Sequence, residues 1–212
     1  MQDLLANIAV VAATAATLFF LVPQIAKLVR TGDSAGVSTT WPAIGFISNI
    51  GWFVYFVHEA LWASLLAPLG ASTGYAVTLW ALARTGRPLG LSYVRGVVFG
   101  SVLVVTTAVA GWTTLGVALG LSFGVMMIPS LWTAYRTPDP SGIAGGTWWL
   151  GVAEAGLWGF YGWHHADAGI ITFAVTALLA SVGMLARHAA TKQRMKSLTP
   201  SPVVPINGDS CQ

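Results

Sequence analysis

Residues 23–60 read PQIAKLVRTGDSAGVSTTWPAIGFISNIGWFVYFVHEA, and residues 129–166 read PSLWTAYRTPDPSGIAGGTWWLGVAEAGLWGFYGWHHA. The two align without a gap at an offset of 106 residues. They share Pro23/Pro129, Arg30/Arg136, Thr31/Thr137, Asp33/Asp139, Gly36/Gly142, Gly45/Gly151, Trp52/Trp158, Tyr55/Tyr161, His58/His164 and Ala60/Ala166. Pro, Trp, Tyr and His are too infrequent for these matches to follow from composition. The chain therefore holds an internal repeat, which constrains its architecture before any local signal does.

The surrounding composition is that of a membrane protein. Hydrophobic residues make up 55% of the chain and charged residues 8%, against roughly a quarter charged in ordinary soluble domains. A bilayer-crossing helix needs about 20 apolar residues, and such stretches are predicted at 4–29, 39–57, 61–83, 94–112, 115–135, 146–163 and 168–186. No charge interrupts the chain from Gly96 to Tyr135, so Trp112-Thr113-Thr114 is predicted to be a tight turn between two spans. The first stretch is expected to remain as a span, since no Lys or Arg precedes it and no small-residue cleavage site follows a short apolar core.

Each copy of the repeat then covers three spans. Three is odd, so tandem copies would face opposite ways unless the unrepeated fourth span restored a common orientation. The expected fold class is an all-α membrane protein with seven transmembrane helices in a 3+1+3 arrangement, two parallel triple-helix repeats joined by a linker helix. Its parts are a first repeat at 1–86, a linker helix at 87–113, a second repeat at 114–190 and a polar, disordered tail at 191–212.

Lys and Arg resist translocation and gather on the cytoplasmic side. Lys27, Arg30, Arg84, Arg87, Arg95, Arg136, Arg187, Lys192, Arg194 and Lys196 all fall on one side of the seven-span plan, while Asp3, Glu59 and Asp167 fall on the other. This puts the N-terminus outside and the C-terminus in the cytoplasm, in a cell (plasma) membrane. The net charge of +3 thus reports topology and excludes nucleic acid as the partner. Trp41, Trp62, Trp80, Trp112, Trp132, Trp148, Trp149 and Trp163 sit near span ends, as an interfacial aromatic belt requires; Trp52 and Trp158 do not. Cys211 is the lone cysteine, so no disulfide or thiolate metal site forms within one chain.

Phe20-Leu21-Val22-Pro23-Gln24, followed by Arg30, Gly36-Val37-Ser38 and Pro42, resembles a Pro-Gln loop signature, and Ile128-Pro129-Ser130 keeps the proline of the second copy. The chain resembles the PQ-loop and SWEET superfamily over nearly its whole length apart from the tail. Parallel repeats related by an axis along the membrane normal are a known transporter plan, with SWEETs as the standard example. The resemblance implies gating by a proline tetrad, matched here by Pro23, Pro42 and Pro129 with Trp148 in the fourth place; Gln24 belongs to the same hinge. It also implies that the positions seven and four residues before each loop proline line the pocket: Ala16 and Phe19, then Ser122 and Val125. The family's sugar transporters offer an Asn in each of the third and seventh spans. The matching neighbourhoods here, Gly70–Thr73 and Ala174–Ala177, hold none, leaving Ser72, Thr73 or Thr176 as substitute hydroxyls.

The residues themselves mark one helix face in each repeat. Ser48, Trp52 and Tyr55 lie at i, i+4 and i+7, and Glu154, Trp158 and Tyr161 repeat that face. Both Trp residues fall about 16–18 Å into their spans at 1.5 Å per residue, near the midplane where transporter sites lie at the repeat interface. Asn49 is intramembrane, beside Ser48. Glu154 is the only acid deep within a span, where a charge costs about 2.5–3.5 kcal/mol or more, so it must face a cavity or a partner. His58, His164, His165 and Glu59 cap the outer ends of two spans and are read as interfacial groups, or more sharply as a proton-sensitive gate.

No cluster has metal-ligand spacing, no glycine motif opens a helix as a phosphate cradle, and no nucleophile has an ordered base. Enzyme activity and cofactors are not expected. The expected function is a SWEET-like transporter moving a small polar solute, first a sugar, by alternating access through a midplane pocket. The alternatives are a proton-coupled amino-acid transporter of the PQ-loop type and a KDEL-receptor-like binding protein. Expected partners are the small-molecule solute and the lipid bilayer, with homo-oligomerisation left open. The segregation of Lys and Arg predicts that a reporter fused after Lys196 is cytoplasmic and one at the N-terminus extracellular; a protease-protection assay giving the reverse would overturn the seven-span plan.

Overall fold

The structure, a computed structural model, describes residues 2–32, 34, 37–136 and 145–198. The repeat identities at Asp33/Asp139, Gly36/Gly142 and Thr137, the side chains of Pro23 and Gln24, and residues 199–212 lie outside the described residues. The elements are α1 (Gln2–Thr31), α2 (Thr40–His58), a short 3-10 turn (Trp62–Ser64), α3 (Leu66–Arg84), α4 (Gly90–Arg136), α5 (Gly145–His164) and α6 (Ala168–Leu198). Helices are what an apolar chain must form in lipid, because each backbone N–H and C=O is then satisfied within its own segment. Among the described residues, Thr40–His58, Trp62–Arg84, Gly90–Arg136 and Ala168–Thr191 are long and apolar enough to cross a membrane, and α1 adds a shorter apolar run at Asp3–Phe19.

At 47 residues, α4 is too long for a single crossing, and its two halves are separated by Gly111 with φ 82° and ψ 178°, a conformation open essentially to glycine alone. The contacts with α2 show which way each half runs. Gly96 lies beside Ala43 and Gly100 beside Ile47, so the first half climbs along α2. Gly116 lies beside Tyr55 and Leu119 beside Gly51, while Ser122 Oγ is 3.5 Å from Ser48 Oγ, so the second half descends. A Cβ at Gly51 would lie 2.9 Å from Leu119 and 3.5 Å from Leu103, two residues that a straight helix would hold about 24 Å apart. The chain reverses at Gly111, not at the expected Trp112–Thr114, because only glycine reaches that backbone conformation.

Helix contacts follow the repeat. In the first copy α3 packs between α1 and α2; in the second, α6 packs between α4 and α5; across the copies, α1 meets α5 and α2 meets α4. The α4–α6 seam is a small-residue contact of the kind that lets membrane helices approach closely. A Cβ at Gly120 would fall 2.7 Å from the Phe173 backbone nitrogen, and one at Gly169 2.7 Å from the Gly116 backbone.

The two repeats also end their second helices identically. Leu61 N–H donates to Phe56 C=O and Ala60 N–H to Val57 C=O, and Asp167 and Ala166 repeat both bonds onto Gly162 and Trp163. This is the Schellman arrangement, whose C′ residue is left-handed and usually glycine; here it is Ala60 at φ 55° and Ala166 at φ 52°. Gly86, at φ 75°, fills the same place after α3.

Two sequence expectations change. Pro42 is the third residue of α2, inside the first turn where no intrahelical N–H bond exists to be lost, so it starts the helix and makes no hinge there. Pro129, by contrast, is inside α4. The segment expected to be disordered from residue 191 is helical as far as Leu198, through Lys, Gln, Arg and Met, which are good helix formers.

Left-handed alanine costs about 1–2 kcal/mol relative to an unstrained residue, and glycine avoids most of that cost. Ala60→Gly and Ala166→Gly are each expected to stabilise the fold by about 1 kcal/mol, a rise of about 2–4 °C in Tm for a chain of this size, measured by thermal denaturation in detergent. Unchanged or lowered midpoints would refute the assigned turn geometry.

Candidate functional site

Between the two copies lies a cavity of about 550 Å³, within the range of small-molecule sites. Its walls are related by the repeat. Thr17 and Phe123, Leu21 and Met127, Gly45 and Gly151, Ser48 and Glu154, Trp52 and Trp158, Ala67 and Phe173, Ala71 and Ala177, and Tyr75 and Ser181 all line it, each pair at the offset of 106. Successive lining residues on α1, α2, α3, α5 and α6 are mostly three or four apart, so each helix presents one narrow stripe.

One end of the cavity is closed by packed rings. Phe56 stacks on Trp158 with centroids 6.2 Å apart and planes at 16°, while Trp52 and Trp158 each meet Phe173 edge-on. Trp52, Phe56, Trp158 and Ile170 are all buried in one apolar cluster. Below this floor, Tyr55 Oη donates to Asp167 Oδ2 at 2.9 Å, and Asp167 Oδ1 accepts the Ile170 N–H at 2.8 Å, capping α6. Further out, His164 Nε2 lies 3.0 Å from Asp3 Oδ1, and His58 stacks on Trp112 at 4.0 Å. Partial burial and then the neighbouring His164 hold the His165 imidazole below its ordinary range, so it is neutral at neutral pH. At the other end Ser38, Pro129 and Ser130 line the cavity and are exposed, so it opens on the side that carries Arg87, Arg95 and Arg136.

Two hydrogen bonds cross between the copies at mid-height. Ser48 meets Ser122, and Thr17 meets a carboxyl oxygen of Glu154. Thr17 Oγ1 also lies 3.0 Å from the Ala13 carbonyl. One hydroxyl has one proton, so both contacts are full two-centre hydrogen bonds when Glu154 carries a proton and donates it to Thr17 while Thr17 donates to Ala13. The Trp158 indole N–H lies on the same wall and reaches no hydrogen-bond partner among the described residues, and Tyr75 of α3 lines the cavity as well. Asn49 Nδ2 donates to the Gly45 carbonyl at 2.8 Å. No Lys, Arg or His lines the cavity among the described residues.

Of the residues singled out from sequence, the structure brings Ser48, Asn49, Trp52, Glu154, Trp158 and Pro129 to the cavity wall. Ser122 is buried behind Ser48, and Tyr55 and Tyr161 are buried beneath the floor. Phe19 and Val125 are 69% and 64% exposed on the outer face, and Ala16 is not on the wall. The lining stripe of α1 is Thr17 and Leu21, out of phase with the expected positions. Thr73 is exposed and bonded to its own helix, Thr176 bonds to the Gly120 carbonyl, and Ser72 Oγ is buried away from the cavity; none supplies a substitute hydroxyl. Trp41 and Trp148, expected in the lipid interface, line the cavity mouth. Thr17, Tyr75 and the Phe residues were missed, although carrying the repeat offset through i, i+4 stripes on every helix would have found them.

Residues 5–65, covering α1, α2 and the turn before α3, match the PQ loop repeat family. No curated protein and no solved structure matches the chain.

The Tyr55–Asp167 bond is the buried polar tie between copies at the closed end, with the more exposed His164–Asp3 contact further out, and a hydrogen bond to a carboxylate contributes about 1.5–3 kcal/mol. Tyr55→Phe is expected to raise the rate at which a cysteine placed at Ala67 is labelled from the acidic side by roughly tenfold or more. Equal labelling rates in the two backgrounds would show that the aromatic floor alone keeps that end shut.

Proposed function

We propose that this chain, whose residues 5–65 belong to the PQ loop repeat family, is a multi-pass membrane transporter that carries a small polar solute by alternating access. The single observation that carries the proposal is the cavity itself: mid-height, walled by repeat-related residues, closed at one end by rings and open at the other. In this reading the seven helical segments form a 3+1+3 plan, with the first half of α4 as the linker and the second half opening the second copy. The state described is open toward the basic side, which the charge distribution places in the cytoplasm. Rocking one bundle against the other would break the Trp and Phe floor and the Tyr55–Asp167 tie while closing the mouth at Trp41 and Trp148.

The wall constrains the solute. A carboxylate-bearing solute, including a zwitterionic amino acid, would find no positive side chain among the described lining residues. A neutral sugar could lay its C–H face on Trp52 or Trp158 and direct hydroxyls to Ser48, Asn49 and Glu154. A peptide receptor of the same architecture would need more complementary charge than one carboxyl supplies.

Uptake by the purified protein in liposomes, against a panel of sugars and amines, tests the proposal. Trp52→Ala and Trp158→Ala are each expected to lower uptake at least tenfold, while Phe19→Ala and Val125→Ala, on the outer face, leave it unchanged. Tight solute binding with no flux would sink the transporter reading in favour of a receptor.

A further inference from the structure

Among the described lining residues, the cavity presents one ionisable carboxyl and no positive side chain. Aromatic rings make up much of the rest of the wall, among them Trp41, Trp52, Tyr75, Trp148 and Trp158. An organic cation is the ligand class that such a wall recognises. Ring faces attract a cation by their quadrupole, most strongly where the cation is desolvated, and an alkylated ammonium needs few directional hydrogen bonds. A polyol needs many, and the hydroxyls and amide that would serve it are largely committed: Ser48 to Ser122, Asn49 to the Gly45 carbonyl and Thr17 to Glu154.

The geometry at Thr17 adds a second element. In the empty cavity both Thr17 contacts are full hydrogen bonds when Glu154 is protonated and donates to Thr17 while Thr17 donates to the Ala13 carbonyl. The carboxyl then has no net charge to attract a cation until it gives that proton up. We propose that the cavity takes an organic monocation in exchange for a proton: the cation enters, the Glu154 O–H bond breaks, the proton leaves to water through the open mouth, and Thr17 turns to donate to the new carboxylate. Charge is conserved, because one positive charge replaces another. The groups facing Glu154 leave it as the exchanging site. Tyr75 of α3 is the other ionisable group on the wall; α1 offers Thr17, α2 offers Ser48 and Asn49, and α6 offers Ser181, none of which titrates. With one carboxyl shared between two cations that never bind together, proton and solute movements are coupled in opposite directions.

This inference rests on the transporter reading, and the experiment separates the two. Choline, tetraethylammonium and glucose are presented to the wild-type chain in weakly buffered solution and then in liposomes. Addition of choline or tetraethylammonium is expected to release one proton per chain, read with an indicator dye. Below the midpoint of that release, the apparent affinity should weaken about tenfold per pH unit. An acidic liposome interior should drive choline accumulation above equilibrium. Glu154→Gln, which keeps shape but cannot ionise, should lose both proton release and accumulation by at least tenfold; if it fails to fold, the wild-type proton count alone decides. Glucose flux with neither binding nor proton release for either cation would overturn the cation inference while leaving the transporter standing. Cation binding without proton release would overturn the exchange, and absence of flux for every solute would remove the transporter reading beneath it.

Discussion

The packing of Phe56 and Trp52 from α2, Trp158 from α5 and Phe173 from α6 joins the two copies of the repeat at one level of the molecule. In lipid there is little hydrophobic drive for one apolar helix to seek another, so association depends on close van der Waals fit and on polar ties. The rings supply fit where the bundles meet, and aromatic pairs of this kind add about 0.5–1.5 kcal/mol each beyond their buried area. The Tyr55–Asp167 bond adds a directional tie just below them. Above the floor the bundles separate, and the space between them is the cavity.

That arrangement asks different things of the helices within and between bundles. Within the second bundle, Gly120 and Gly169 bring α4 and α6 together so closely that a Cβ added at either would strike the backbone of the other helix. Between bundles, contact is through side chains: Ser48 to Ser122, Thr17 to Glu154 and ring to ring. Backbone-to-backbone seams hold a bundle as one body, whereas side-chain contacts can be exchanged by rotamer changes and small shifts. A molecule built this way has its softest plane through its cavity.

The repeat supplies a symmetric frame, and the chemistry lies in its exceptions. Trp52 and Trp158 keep the symmetry, but Ser48 faces Glu154, Tyr75 faces Ser181 and Thr17 faces Phe123 across the axis. The one carboxyl, its hydrogen-bond partner Thr17 and the neighbouring phenol come from positions where the copies differ. A symmetric pocket has two equivalent halves; this one, among the described lining residues, has its single carboxyl on one side.

The repeat, the membrane class and the candidate face of Trp52, Trp158, Ser48 and Glu154 were legible in the sequence, because each depends on composition or on spacing along one chain segment. The left-handed turns at Ala60 and Ala166 were marked by their identity at the repeat offset, though alanine gave no hint of that conformation. What the sequence left open was rotational phase. A membrane helix that is apolar on all sides carries no polar face to mark which stripe turns inward, so Phe19 and Val125 were placed on a wall that belongs to Thr17 and Leu21. Nor could spacing find Tyr55 with Asp167, 112 residues apart, or show that the chain turns at Gly111 and not beyond it. Those features were decided by tertiary packing, which alone sets how each helix is rotated about its axis and which distant side chains meet.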